Sequence, residues 1–235
     1  MKEILGIIGG MGSHATVSMF QQIINHSPAR KDQEYMEIMI HNNSRIPDRT
    51  EGILGHGDDP FPEICRSAKL LEDCGATILV LACITAHHYS EKLESSLGKA
   101  HLFHIVKETV AYTRKLYPDL KRAGVLATEG TIKSKLWEKE FRMNNIDTVV
   151  LSEEEQADYF TNVIYGPQGV KAGFRNEQLK DSLLEGCHRL VSKGAEVIIG
   201  ACSELPLLIA KEDVQVPYID AIQVAIEKLT TTYYQ

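Results

Sequence analysis

Two cysteines of this 235-residue chain, Cys83 and Cys202, stand at matched positions. Each ends a similar run, GATILVLAC at 75–83 and GAEVIIGAC at 194–202, and the runs align without a gap at an offset of 119 (202 − 83). A free thiol has a pKa of about 8.5, close enough to neutral pH to act as acid or base. One thiolate could remove an α-proton while the other thiol protonates the opposite face of that carbon. This scheme requires no metal and no organic cofactor.

Both runs predict a buried strand, because a β-branched apolar segment follows a Gly-Ala pair. The repeat extends back into a preceding helix, predicted from 60 or 62 to 73 and from 177 to 192, each ended by a glycine. Its apolar positions match at the same offset: Ile64, Ala68 and Leu71 correspond to Leu183, Cys187 and Leu190. A weaker likeness relates 6–12 to 124–130 at an offset of 118. The chain therefore repeats an architecture of helix, stop and strand.

We predict an α/β fold of two pseudo-symmetric lobes, each with a mostly parallel sheet flanked by helices. Residues 1–100 with 210–235 form the first lobe, which carries Cys83, and residues 101–209 form the second, which carries Cys202. The chain crosses between lobes near 98–103. Ligands bind outside the carboxyl ends of strands in open α/β sheets, so the active site is expected in the cleft between the lobes.

The ends of the chain are predicted to belong to the first lobe. A strand at 4–8 and a glycine turn lead into a helix from Ala15 to Asn25, whose apolar side carries Val17, Phe20, Ile23 and Ile24. The last strand, 216–220, and the last helix, 221–229, are expected to return to this lobe.

Charge and hydropathy narrow the classes of partner. The net charge is −7 and there is no basic run to follow a phosphate backbone, so nucleic acid is not expected. The longest apolar run, 78–84, is far shorter than the roughly 20 residues that cross a bilayer. The first eight residues resemble a signal peptide only superficially, because their apolar part is too short. We expect a cytoplasmic protein with free thiols, in which Cys65, Cys74 and Cys187 are core residues.

Polar groups follow the predicted strand ends. The turn-rich segment 42–50 carries Arg49, which is either a solvated surface charge or a group that binds a carboxylate. Polar residues follow both cysteines, where a helix could begin. A helix N-terminus lowers the pKa of a nearby thiol and attracts a carboxylate, which suits a base acting on an acidic substrate.

With these motifs, the chain resembles the cofactor-independent aspartate/glutamate racemase superfamily, and most closely its aspartate racemases, over nearly its whole length. The similar segments are GIIGGMG at 6–12, IPDRT at 46–50, ACITAH at 82–87, ATEGT at 127–131, IY at 164–165 with VKAG at 170–173, and CSE at 202–204. The paired cysteine motifs are the specific part of this resemblance.

The resemblance implies a racemase that interconverts L- and D-aspartate, and possibly glutamate, with Cys83 and Cys202 as the catalytic acid/base pair. The substrate-binding residues it implies are Met11, Gly12, Arg49, Thr85, Thr128, Lys171, Ser203 and Glu204. Arg49 and Lys171 would form a cationic end for the side-chain carboxylate. It also implies a homodimer whose ligand is a small acidic amino acid, without nucleic acid, membrane, metal or cofactor.

One departure from the family pattern leaves alternatives open. Ile84 stands where the family usually has an asparagine that bonds the α-substituents of the substrate. The chain could therefore be a racemase, isomerase or decarboxylase of the same superfamily that acts on another amino acid or diacid. It could also bind an acidic ligand with impaired catalysis. His87 is either a residue that orients the site or a helix residue satisfied by its own surroundings.

Overall fold

The computed structural model describes residues 3–235 and contains two parallel sheets of four strands, each flanked by helices. Contacts divide the chain into two compact units, one of Met1–Ile105 with Ala225–Gln235 and one of Val106–Val224. The predicted α/β fold with two lobes is confirmed. None of the helices within residues 3–235 is long and apolar enough to span a membrane.

The first sheet has the strand order β2-β1-β3-β4. Its elements are β1 (Ile4–Gly9), α1 (Ser13–His26), β2 (Glu37–Asn42), α2 (Arg49–Leu54), α3 (Phe61–Asp73), β3 (Ile78–Leu81), α4 (Ser90–Glu94) and β4 (His101–Phe103). A short 3₁₀ helix, Thr85–Tyr89, lies between β3 and α4. The core of this unit is formed by apolar residues of β1, α3 and β3.

The second sheet has the equivalent order β6-β5-β7-β8. Its elements are α5 (Ile105–Leu116), β5 (Arg122–Ala127), α6 (Glu129–Lys133), α7 (Leu136–Arg142), β6 (Asp147–Val149), α8 (Glu153–Gln156), α9 (Asn162–Tyr165), α10 (Glu177–Ser192), β7 (Val197–Ala201), β8 (Tyr218–Asp220) and α11 (Ala221–Tyr234). A π-helical turn, Ala157–Thr161, joins α8 to α9, and three-residue 3₁₀ helices lie at Val170–Ala172 and Leu205–Leu207.

The sequence repeat corresponds to one packing contact made in both sheets. A Cβ atom on Gly6 of β1 would lie 2.6 to 3.3 Å from side-chain atoms of Leu79, Ala76 and Leu71. A Cβ atom on Gly124 of β5 would lie 2.7 to 3.1 Å from Ile198, Ala195 and Leu190, which are the same three positions plus 119. Each central strand therefore has glycine where the neighbouring helix and strand approach its backbone most closely.

The helix stops of the repeat also agree between the halves. Gly75 and Gly194 have positive φ angles of 106° and 91° and follow α3 and α10. Glycine adopts this conformation at little steric cost, so it ends a helix and turns the chain into the following strand. The predicted helix at 177–192 matches α10, and the one ending at 73 matches α3.

The last strand differs from the prediction. β8 hydrogen-bonds to β7 and so belongs to the second sheet, although the sequence analysis assigned 210–235 to the first lobe. Of α11, the part from Ala225 onward groups with the first unit. The predicted crossing region near 98–103 includes β4, an edge strand of the first sheet. Pairing between strands distant in the chain decided these assignments, and no local pattern encodes it.

The apolar side of α1 also differs from the prediction. Ile23 is buried as expected, but Val17 is 67% exposed and Phe20 is 38% exposed. The buried side of the helix is completed instead by Ala15, Thr16 and Met19. The Thr16 hydroxyl donates to the Gly12 carbonyl (2.9 Å) and accepts from the Gly10 backbone N–H (3.2 Å), which holds that polar residue against the glycine turn.

Substitution of Gly124 by alanine should destabilise the protein. The added Cβ would meet three side chains at 3.1 Å or less, and overpacking of this kind costs about 1–3 kcal/mol. Urea denaturation followed by circular dichroism measures the change. The control is Gly98→Ala, whose Cβ would meet nothing closer than 3.6 Å. Equal unfolding midpoints for Gly124→Ala and the wild type would contradict the packing described.

Candidate functional site

Cys83 lies two residues beyond the end of β3, at the carboxyl edge of the first sheet. It is 5% exposed. The next two residues, Ile84 and Thr85, are buried as well, and Thr85 begins the 3₁₀ helix that follows. Ile84, the residue that departs from the motif of the resembled family, is 1% exposed.

His87 is a fully buried residue of this 3₁₀ helix, and both of its ring nitrogens bond to backbone. Nδ1 donates to the Cys83 carbonyl (3.2 Å), and Nε2 accepts from the Ile105 N–H (3.3 Å). Burial lowers the pKa of His87 to about 4, against the smaller opposing effect of its bond to Cys83. His87 is therefore a neutral residue that ties the backbone of Cys83 to the start of α5, and its ring is satisfied by its own surroundings, the second of the two alternatives left open by the sequence.

Arg49 begins α2 and is buried, with its guanidinium held by two backbone carbonyls. Nη2 donates to Met11 (2.8 Å) and Nη1 donates to Pro47 (3.0 Å). The bond to Met11 joins the segment 42–50, which carries Arg49, to the glycine-rich turn 9–12 after β1. Asp48 caps α2 by accepting from the backbone N–H groups of Thr50 and Glu51, which fixes the start of the helix that carries Arg49. Arg49 is thus not a solvated surface charge, which was one of the two alternatives left open by the sequence.

Cys202 directly follows β7 and is 4% exposed. Its thiol donates to Oε2 of Glu204 (3.1 Å), and the Ser203 hydroxyl donates to the same oxygen (3.1 Å). Lys171 Nζ lies 2.9 Å from the other carboxylate oxygen, Oε1. One buried carboxylate thus accepts hydrogen bonds from three donors, and four of the predicted site residues form one group.

These surroundings raise the pKa of Cys202 well above its ordinary value. Burial is the largest cause, and the charge of Glu204 is the next, while Lys171 acts in the opposite direction. The sequence analysis expected a following helix to lower this pKa. Instead, the turn after β7 brings in a carboxylate, and the helix that follows is a 3₁₀ turn of only three residues. Cys202 is a thiol at rest.

Lys171 lies in the 3₁₀ helix Val170–Ala172 and contacts more than Glu204. Its ammonium lies 5.3 Å from the centroid of the Tyr165 ring, a cation–π geometry. Because the carboxylate of Glu204 offsets its charge, Lys171 offers a substrate carboxylate less net attraction than an unpaired ammonium would.

The two remaining predicted site residues cap helices at strand ends. Gly12 precedes α1 and accepts from the Thr16 backbone N–H (3.0 Å). Thr128 caps α6, and its hydroxyl accepts from the Thr131 N–H (3.2 Å). Thr128 and Cys202 directly follow Ala127 and Ala201, which are register partners of β5 and β7. Both therefore lie at the same edge of the second sheet.

Two residues of β8 near Cys202 were missed by the sequence analysis, Tyr218 and Asp220. Asp220 pairs in register with Gly200 and caps α11, and burial raises its pKa to about 6 despite two backbone N–H donors. The phenol of Tyr218 lies over Gly200. One signal was available: the repeat places Gly200 where the first half has Leu81, a loss of side chain inside a buried strand.

Within residues 3–235, no group of three or more His, Cys, Asp or Glu side chains is arranged to hold a metal ion.

Comparison with known proteins assigns the family. The family model described as Asp/Glu/hydantoin racemase matches residues 8–229. The chain belongs to this racemase family. It is therefore an isomerase, and the resemblance inferred from its motifs is confirmed.

Individual relatives agree with this membership. The broad-specificity amino-acid racemase RacX of Bacillus subtilis is 26% identical over 235 residues, covering 98% of each protein. An aspartate racemase of Picrophilus torridus has a TM-score of 0.80 at 24% identity, covering 99% of this chain and 94% of its own. A glutamate racemase isoform of Bacillus anthracis has a TM-score of 0.66 at 17% identity, covering 99% and 82%. These likenesses to solved structures show the shared racemase fold.

Neutral His87 makes this racemase less stable in acid. The unfolded chain binds a proton at His87 near pH 6.5 and the folded chain near pH 4, so the unfolded state holds more protons between them. The stability present above pH 6.5 is therefore lost as the pH falls toward 4, by about 3 kcal/mol from this group. His87→Asn keeps a donor for the Cys83 carbonyl and removes the titration.

Urea denaturation across this pH range should show a shallower acid loss for His87→Asn than for the wild type. The exposed His56 supplies a control, and His56→Asn should keep the slope of the wild type. Identical slopes for all three proteins would count against the buried neutral imidazole.

Proposed function

We propose that the protein is a cofactor-independent racemase that interconverts L- and D-aspartate by a two-base mechanism with Cys83 and Cys202. One observation carries the proposal: both buried thiols follow equivalent strands, β3 and β7, at the carboxyl edges of two sheets with the same order. Stereoinversion at one carbon needs a base for one face and an acid for the other. Thiols at repeated positions meet this need.

In the proposed reaction Cys83, as thiolate, removes the α-proton of one enantiomer, and the electron pair of the broken C–H bond stays on the α-carbon as a carbanion. Cys202 then gives its proton to the opposite face, which leaves a thiolate on Cys202 and a thiol on Cys83. The reverse reaction runs from that state. The bond from Cys202 to Glu204 supports Cys202 as the proton donor of the resting enzyme.

Arg49 is proposed to bind the distal carboxylate of aspartate. Its guanidinium is fixed by the carbonyls of Met11 and Pro47, so it would meet the substrate without first ordering a flexible side chain. Met11, Gly12 and Thr85 are proposed to line the same half of the site. Lys171, Ser203, Glu204 and Thr128 are proposed for the other half.

A second candidate is racemisation of a wider range of amino acids. Glu204 offsets the charge of Lys171, and Ile84 gives the segment after Cys83 an apolar side chain, so selection for an acidic side chain would be weakened. RacX, the relative named for broad specificity, supports the same candidate.

A panel of L-amino acids followed by chiral chromatography distinguishes the two candidates. Turnover of aspartate and glutamate at least tenfold above that of neutral and basic amino acids supports the first, whereas similar rates across the panel support the second. Glu204→Gln removes the charge that pairs with Lys171. Under either candidate function, this variant should prefer acidic substrates more strongly than the wild type does.

Serine substitutions test the catalytic pair. Cys83→Ser and Cys202→Ser should each lower the racemisation rate by at least about 10²-fold, because a hydroxyl is a much weaker acid than a thiol and supplies almost no anion to act as a base near neutral pH. Chiral chromatography of the products measures the rate. Cys65→Ser, on the partly buried side of α3, should keep the rate of the wild type. A wild-type rate in either catalytic variant would overturn the assignment.

We also propose a cytoplasmic homodimer. All five cysteines are free thiols, which suits a reducing compartment. The exposed Val17 and Phe20 of α1 supply apolar surface that an interface could cover. Size-exclusion chromatography with light scattering should give twice the chain mass of 26.2 kDa. A single-chain mass at all concentrations would contradict the dimer.

A further inference from the structure

The hydroxyl of Tyr218 is a buried donor without a bond. Within residues 3–235 it has no hydrogen-bond partner, although its oxygen is shielded from solvent. A buried polar group left unpaired is unfavourable, and native proteins contain few of them. The Tyr218 hydroxyl is therefore available to bond a further partner.

Gly200 makes room for this hydroxyl. A Cβ atom on Gly200 would lie 2.1 Å from the Tyr218 oxygen and 2.6 Å from the ring carbon that carries it. The phenol therefore occupies the space that a side chain at position 200 would fill. At the equivalent place in the first sheet stands Leu81, so this opening exists only in the half that carries Cys202.

The strand register directs the hydroxyl toward Cys202. Ile198 pairs with Tyr218 and Gly200 pairs with Asp220, so these residues share one face of the sheet. Cys202 directly follows β7, and its Cα is at most about 6.6 Å beyond that of Gly200. The thiols of Cys202 and Cys187 and the carboxyl of Asp220 lie within electrostatic reach of the phenol.

We propose that Tyr218 is a positioning residue whose hydroxyl donates a hydrogen bond to the Cys202 thiolate after the thiol has given up its proton. The proposal rests on the proposed function, in which Cys202 alternates between thiol and thiolate. As a thiol, Cys202 donates to Glu204. As a thiolate it has no proton for that bond and is repelled by the same carboxylate, so the sulfur turns to the nearby donor.

The charges around Cys202 fit this alternation. Glu204, on the same turn, favours the thiol, and Lys171, from the preceding 3₁₀ helix, favours the thiolate. On β8, the pKa of Tyr218 lies well above its ordinary value, because the phenol is buried and lies near the charge of Asp220. The phenol therefore retains the proton that it would donate. Cys187 of α10 is itself held as a thiol, because burial raises its pKa to about 12.

Alkylation by iodoacetamide, followed by mass spectrometry of the peptide that contains Cys202, tests the proposal on the full-length protein across a pH series. Tyr218→Phe removes only the hydroxyl. Loss of a hydrogen bond to a charged group should lower the population of the Cys202 thiolate about tenfold or more. Because the thiolate is the form that reacts, alkylation of Cys202 should slow by the same factor. Thermal unfolding should occur at an equal or higher temperature, because the variant lacks an unpaired buried hydroxyl.

Two further variants separate this effect from a structural one. Tyr117→Phe, in the loop before β5, should leave both the alkylation rate and the melting temperature unchanged. Glu204→Gln should speed alkylation of Cys202, and the double variant with Tyr218→Phe should lose much of that gain. Wild-type reactivity of Cys202 in Tyr218→Phe, or an undiminished gain in the double variant, would overturn the proposal.

Alkylation needs no turnover, so the two hypotheses fail separately. A protein that does not racemise amino acids and still shows slowed alkylation in Tyr218→Phe would count against the proposed function alone. Normal racemisation with unchanged alkylation would count against the role of Tyr218 alone.

Discussion

The rest of the structure depends on one contact, which occurs once in each sheet. In it, a helix and a strand approach the backbone of a glycine in the central strand. Gly6 and Gly124 let equivalent leucine and alanine side chains pack directly on the backbone of β1 and β5. This contact packs β3 and β7 closely against the central strands of their sheets. Cys83 and Cys202 follow the ends of β3 and β7, at the edge where open α/β sheets bind ligands.

The two halves share a backbone plan but surround their thiols with different chemistry. Cys83 is followed by apolar Ile84, and its carbonyl is held by neutral His87. Cys202 donates to Glu204, which is also bonded to Lys171 and Ser203. The proposed two-base mechanism needs one base and one acid at the start of each turnover, and this asymmetry is consistent with Cys202 as the proposed acid.

The elements with local signals could be predicted from the sequence: those of the repeat, and also β1, α1, β8 and α11. Helix periodicity, the Gly75 and Gly194 stops and the two apolar runs are local signals, and they led to α3, α10, β3 and β7 near their observed bounds. The exposure of Val17 and the pairing of β8 with β7 depend on which segments meet in space. Tyr218 was missed for the same reason, since its importance arises only from its neighbour in the sheet, Gly200.

Isotope exchange at the α-carbon measures most directly whether the two thiols exchange the α-proton of one substrate, as proposed. Incubated with L-aspartate in D₂O, the wild-type protein should place deuterium at the α-carbon while optical rotation falls toward zero. The double variant Cys83→Ala and Cys202→Ala should do neither. Tight aspartate binding by calorimetry without any exchange in the wild type would instead indicate a binding protein. Exchange that persists in the double variant would contradict the two-thiol mechanism.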